Sequence, residues 1–193
     1  MSSNNFDTGK RILEATRQLL EADEKNQTRM SDIAKAAGIS RQAVYLHFDN
    51  RAELLIATTR YLDEIFGVEE KLEKSRNATS GIERLDEFID VWGNYIPVIY
   101  GMAKALLSMK DDDDAARDAW GDRMGAVRHG CEAAVSALAK DGQLTENYNK
   151  DQCVDILWTL LSVRNWEQLT QDCGWTQKSY IEFAKSSARK LLL

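Results

Sequence analysis

Two adjacent side chains, Arg41 and Gln42, with Tyr45 one helical turn beyond them, are the part of this sequence best suited to chemistry. An arginine fork matches the O6 and N7 acceptors of guanine, and a glutamine amide matches the N6 and N7 edge of adenine. Such residues are useful only if an element holds them outward together. The other reactive residues do not assemble into anything comparable. The two histidines, His47 and His129, are far apart, and HExxH, GxSxG and Gly-rich phosphate-loop patterns are absent. No catalytic residue and no enzymatic activity are therefore predicted. His129 and Cys131 stand two apart and cannot share a helix face as metal ligands would. In the run Asp111 to Asp114, four consecutive carboxylates point around a helix, which predicts a solvated, dipole-favoured helix start and not a cation site. No metal and no cofactor are expected.

Helices must carry the outward pair. The chain has 193 residues, 44% of them hydrophobic and 29% charged, with 11 Gly and a single Pro. A sandwich or barrel of that size would need many more turn breaks, so the composition predicts an all-α fold. Apolar spacing gives a first helix over about Asp7 to Ala22 through Ile12, Leu13, Leu19 and Leu20. A short second helix follows, with Met30, Ile33, Ala34 and Ala37 inward and Thr28 as its expected cap. Gly38 supplies a left-handed stop and Ile39 an apolar plug, and Ser40 caps a third helix whose inward positions are Val44 and Phe48. With those two inward, Arg41, Gln42 and Tyr45 face out, in the arrangement that sets the first turn of a helix-turn-helix reader against base edges in the major groove. Asn50 and Glu53 form a capping-box-like start to a fourth helix, about Arg51 to Gly67, whose apolar stripe is Leu54, Leu55, Thr58, Leu62 and Ile65.

Later boundaries are coarser. Residues 74–81 read as a polar loop, a helix resumes at Ile82, and the chain is expected to break or kink at Asn94 to Ile96 before a new helix from Pro97 to Met109. Long helices are expected up to Lys140, from Asp151 to Gln171 and from Thr176 to Leu192, about nine in total.

Net charge is −6, yet the first 60 residues carry +1 and the other 133 carry −7, so any positive face lies near the N-terminus. Cysteines 131, 153 and 173 are odd in number and show no paired spacing, which fits a reducing cytoplasm. No signal-peptide pattern and no apolar run of bilayer-spanning length is present, so a cytoplasmic protein without a membrane partner is expected.

The stretch MSDIAKAAGISRQAVYLHFDNRAELL, residues 30–55, resembles the DNA-binding domain of TetR-family transcriptional regulators. The match lies in Asp-Ile-Ala, the Ala-Gly-Ile-Ser turn, Val44-Tyr45-x-His47-Phe48, Asn50-Arg51 and Leu54, and extends over about residues 10–66. Asp23 to Gln27 departs from the usual Gly and aromatic after the first helix. The resemblance implies Arg41 and Gln42 as the specificity pair and Tyr45 and His47 as phosphate contacts. Arg51, at the fourth helix's N-terminus, would meet an anion, and Arg29, Ser31 and Ser40 would add flanking backbone contacts.

It further implies a three-helix DNA-binding domain at residues 1–50, connected by the helix at about 51–67, and a ligand-binding and dimerisation domain at 51–193. The last two helices would make a homodimer that meets a palindromic operator on double-stranded DNA. Trp92, Tyr95, Tyr100, Met102, Trp120, Met124, Trp158 and Trp166 are candidates to line a cavity for a small apolar effector, though each taken singly fits an ordinary bundle core better. Two readings stand at this point: a repressor released from its operator by that effector, and a helical ligand-binding or scaffolding dimer without DNA-binding activity.

Overall fold

The computed structural model describes residues 2–22 and 28–193, with side chains from Asp7 onward. The segment where the sequence departs from the family pattern, 23–27, lies outside the described residues. The described chain is all-α: α1 (Ser2–Ala22), α2 (Met30–Ala36), α3 (Arg41–Tyr45), α4 (Arg51–Phe66), α5 (Val68–Arg76), α6 (Gly81–Met109), α7 (Asp114–Lys140), α8 (Lys150–Leu160), α9 (Val163–Glu167) and α10 (Gln177–Leu192). No helix in the described residues is long and apolar enough to cross a membrane.

Contacts divide the chain into two compact units. The first comprises Met1–Ile65 with Ile99–Met124, and the second Phe66–Val98 with Gly125–Leu193. In the first, Ile12 and Ala15 of α1 meet Met30, Ile33, Ala34 and Ala37 of the α2 region, Val44, Phe48 and Leu54 in one buried cluster. Helices as short as α2 and α3 are unstable alone, and this cluster fixes them. The α2–α3 turn forms as expected. Gly38 takes φ +67°, the Ile39 amide donates to the Ala34 carbonyl at 3.0 Å, and the Ser40 hydroxyl accepts from the Ala43 amide at 3.1 Å. The cap of α2 differs from the expectation. Arg29 is the capping residue, its amide bonded to the Asp32 carboxylate at 3.2 Å, while Thr28 is buried and spends its carbonyl on Arg51. Ile65 is also not in the α4 stripe: it is 56% exposed, while Leu54, Leu55, Thr58 and Leu62 are buried.

The second unit corrects three expectations. Pro97 does not break the chain, because α6 runs through it from Gly81 to Met109. A proline removes the amide that would bond the carbonyl four residues back, here that of Gly93. The Gln177 side-chain amide of α10 donates to that carbonyl instead, at 2.7 Å, and its oxygen accepts the Trp166 indole N–H at 2.8 Å. Gly93 makes the approach possible, since a Cβ there would lie 2.9 Å from the Ile181 side chain. Gln177→Ala is accordingly expected to cost about 1–2 kcal/mol, the cost of stranding a buried acceptor. Much of that loss should vanish in a Pro97→Ala background, where a main-chain amide can serve Gly93; urea unfolding of the four proteins measures it.

The helix expected over Asp151 to Gln171 is interrupted after Leu160, and Ser162 recaps the chain by accepting from the Asn165 amide at 3.2 Å. The Leu161 carbonyl freed by the break receives the Trp92 indole N–H at 2.7 Å. After α9 the chain makes one π-helical turn, Gln168–Asp172. The third correction is α5, a nearly all-polar helix that overlaps the expected loop and starts after Gly67 in the left-handed region at φ +70°.

The cysteines differ sharply in setting. Cys131 is fully buried and its thiol is pushed up to about 12 by desolvation; Cys153 is buried and raised in the same direction; Cys173 is exposed. A thiol-reactive maleimide should therefore modify Cys173 alone in the native protein. Raising the pH from 7 to 9 should not recruit Cys131, because its thiolate stays unpopulated below its raised pKa. Mass spectrometry after timed labelling measures this.

Candidate nucleic-acid interface

The reading helix α3 is positioned by its apolar side. Val44 is 0% and Phe48 9% exposed, whereas Arg41, Gln42, Tyr45 and Leu46 all face solvent. Two outward rows result at four-residue spacing, Arg41 with Tyr45 and Gln42 with Leu46. In the first row, Arg41 Nη2 lies 3.3 Å from the Tyr45 hydroxyl, and the guanidinium carbon sits 5.6 Å from the ring centroid. That hydroxyl favours the charged guanidinium, and the ring narrows the rotamers open to it. Ser31 and Ser40 are exposed at the starts of α2 and α3, Arg29 is exposed beside them, and His47 is half-buried with Nδ1 facing Gly9 of α1.

Arg51 departs from this group. Its Nη1 donates to both carboxylate oxygens of Asp113, at 2.8 and 2.6 Å, and its Nε donates to the Thr28 carbonyl at 2.7 Å. Its Nη2 is buried without a partner, so in this conformation the guanidinium is not presented to an external phosphate. Asp113 also accepts from the Ala116 amide at 3.1 Å and so caps α7. The acidic run is thus divided in its work: Asp113 is a partly buried anchor, Asp114 pairs with Arg117, and Asp111 pairs with Lys110. No cluster of three or more potential ligands suited to a metal ion occurs among the described residues. Sequence reasoning missed Asp113 because its partner is 62 positions away. It also passed over Leu46, 82% exposed, because an apolar residue carries no polar signature.

The candidate ligand residues fall into separate places. Trp92 and Tyr95 meet edge to face at 5.9 Å, and Phe66, not anticipated, stacks on Tyr95 at 4.9 Å. Trp166 is buried and bonded to Gln177, and Trp158 lies beneath the Arg128 guanidinium at 5.5 Å. In the first unit, Met102 and Met124 are buried, Trp120 is half-buried, and Tyr100 lies 5.9 Å from the Lys104 ammonium. Two clefts among the described residues are lined by other side chains. One, of about 390 Å³, is bordered by Thr28, Arg51 and Asp112 to Asp114; the other, of about 470 Å³, by Arg76, Arg84, Ser136, Lys140 and Asp141.

Residues 12–58, which contain the whole α2–α3 reader, match the family profile described as bacterial regulatory proteins, tetR family. This segment is thus similar to the DNA-binding module of tetR-family regulators. No curated protein sequence matches it significantly. Solved structures show that the rest of the chain also has the fold of such regulators. The fatty acid degradation regulator FadR from Bacillus halodurans superposes with TM-score 0.74 at 18% identity, covering 94% of each chain. FadR from Bacillus subtilis in complex with stearoyl-CoA gives 0.74 at 15% identity, over 95% of this chain and 98% of that one. NalD from Pseudomonas aeruginosa, the secondary repressor of the MexAB-OprM multidrug efflux pump, gives 0.71 at 18% identity, over 99% and 98%. Within the matched segment the buried Val44 and Phe48 hold α3 so that its other side faces out.

Proposed function

We propose that this regulator binds a palindromic DNA operator as a homodimer in the cytoplasm and represses until a small apolar ligand releases it. The observation that carries the reading is the exposure of Arg41 and Gln42 on α3 above a fully buried Val44. In this reading residues 1–50 are the DNA-binding domain, α4 is the connection, and 51–193 bind the effector and dimerise. Tyr45, His47, Arg29, Ser31 and Ser40 hold phosphates while Arg41 and Gln42 select bases. Dimerisation through the last helices is supported by the apolar residues that α10 and its approach leave exposed: Trp175 and Phe183, 38% each, and Leu191, 39%. A twofold pair then presents its readers about 34–36 Å apart, one turn of duplex.

An apolar effector is supported by the stearoyl-CoA bound to the Bacillus subtilis relative and by the aromatic group Phe66, Trp92 and Tyr95. A ligand favouring the conformer whose readers do not fit one duplex shifts the population and empties the operator.

The test is fluorescence anisotropy on a duplex carrying the selected operator, across a salt series. The reading expects specific binding that weakens steeply as salt rises, and release when an apolar effector such as a long-chain acyl-CoA is added. Indifference to sequence at every salt concentration would favour the scaffolding alternative.

A further inference from the structure

The second outward row of α3 contains a residue that the phosphate and base roles above leave without a task. Leu46 is 82% exposed, the most open of the large apolar side chains described, and it belongs to the reader and not to a distant loop. Its backbone is helical, φ −76° and ψ −16°, and its amide continues the helical turn by bonding to the Ala43 carbonyl at 3.3 Å. It therefore stands one turn beyond Gln42, about 6 Å further along the helix axis. Leu46 can neither donate to nor accept from a phosphate. The apolar group that a base pair shows in the major groove is the C5-methyl of thymine.

We propose that Leu46 is a further specificity residue, which packs on a thymine methyl in each half-site beside the base read by Gln42. The proposal rests on the DNA-binding reading above. Its chemistry is simple: burying the isobutyl group against a methyl removes apolar surface of both from water, whereas an unmethylated pyrimidine leaves part of that surface wet. The axial offset from Gln42 is on the order of two base-pair rises, so the methyl should lie within about two pairs of the position where Gln42→Ala relaxes selection.

Thymine and uracil differ only in that methyl, which lets the DNA be altered and the protein left intact. The experiment uses the full chain and the duplex selected from a random pool, with each thymine replaced in turn by deoxyuridine, and compares the wild type with Leu46→Ala. For the wild type, one replacement per half-site should weaken binding about fourfold, the value of roughly one buried methyl group. The Leu46→Ala protein should bind the thymine and uracil duplexes alike at that position and retain its response to the Gln42 position. A wild type indifferent to every replacement, or a Leu46→Ala protein with undiminished methyl dependence, overturns this assignment while leaving the DNA-binding reading intact. Failure to select any duplex overturns both.

Discussion

Asp113→Ala is expected to lower the unfolding free energy by about 2–3 kcal/mol, because it strands a mostly buried arginine and uncaps α7 at the same time. The Arg51 and Asp113 side chains are 19% and 9% exposed, so the loss sits below the full value of a completely buried pair but well above that of a surface pair. Replacing both residues, Arg51→Met with Asp113→Ala, should recover the part that comes from the stranded charge and leave the loss of the α7 cap. A double-mutant cycle in urea measures the coupling. Strictly additive single effects would show that the pair, although bonded, does not act as a unit. The same pair decides what Arg51 does at DNA. If its fork stays on Asp113 in the complex, Arg51→Ala leaves the salt dependence of binding unchanged. Should Arg51 instead move to a phosphate, the slope of log affinity against log salt falls by about one. The measurement thus separates an anchor for the reader from a direct contact.

Arg41→Ala is expected to weaken binding at the selected operator by about 10- to 100-fold per half-site while changing affinity for random duplex by no more than about threefold. Gln42→Ala should do the same at a neighbouring position. The asymmetry follows from exposure and from the proposed base contacts: both side chains face solvent above the buried Val44, so removing either should leave the fold intact and cost only the contact proposed for it. Tyr45→Phe should have a smaller effect, since it removes the hydroxyl 3.3 Å from Arg41 and keeps the ring beneath the guanidinium. Equal loss at operator and random duplex for Arg41→Ala would place that residue on a phosphate.

The α2–α3 turn was legible in the sequence because the residues that shape it are local. Gly38, Ile39, Ser40, Val44 and Phe48 lie within eleven consecutive positions, and each acts on its near neighbours through a turn, a plug, a cap or a buried face. What escaped depends on partners far along the chain. Pro97 looks like a break until Gln177 supplies the missing donor to Gly93. Arg51 looks like an anion site until Asp113 is found beside it. The interruption after Leu160 carries neither Gly nor Pro, and the carbonyl it frees is accommodated by Trp92. α5, with only Val68 and Leu72 as large apolar residues, has no stripe by which a helix could be recognised. Ile65 fits the spacing of the α4 stripe but is exposed, because periodicity says which residues share a face and not how far along that face the covering elements extend.

In the proposed mechanism two copies of α3 read one duplex. Selection of the full chain against a random duplex pool, followed by sequencing of what is retained as salt is raised, tests it most directly. Enrichment of a two-fold symmetric sequence, with half-site centres about one helical turn apart, is expected. Retention without any preferred sequence, or enrichment of a lone half-site with no symmetry mate, would contradict it.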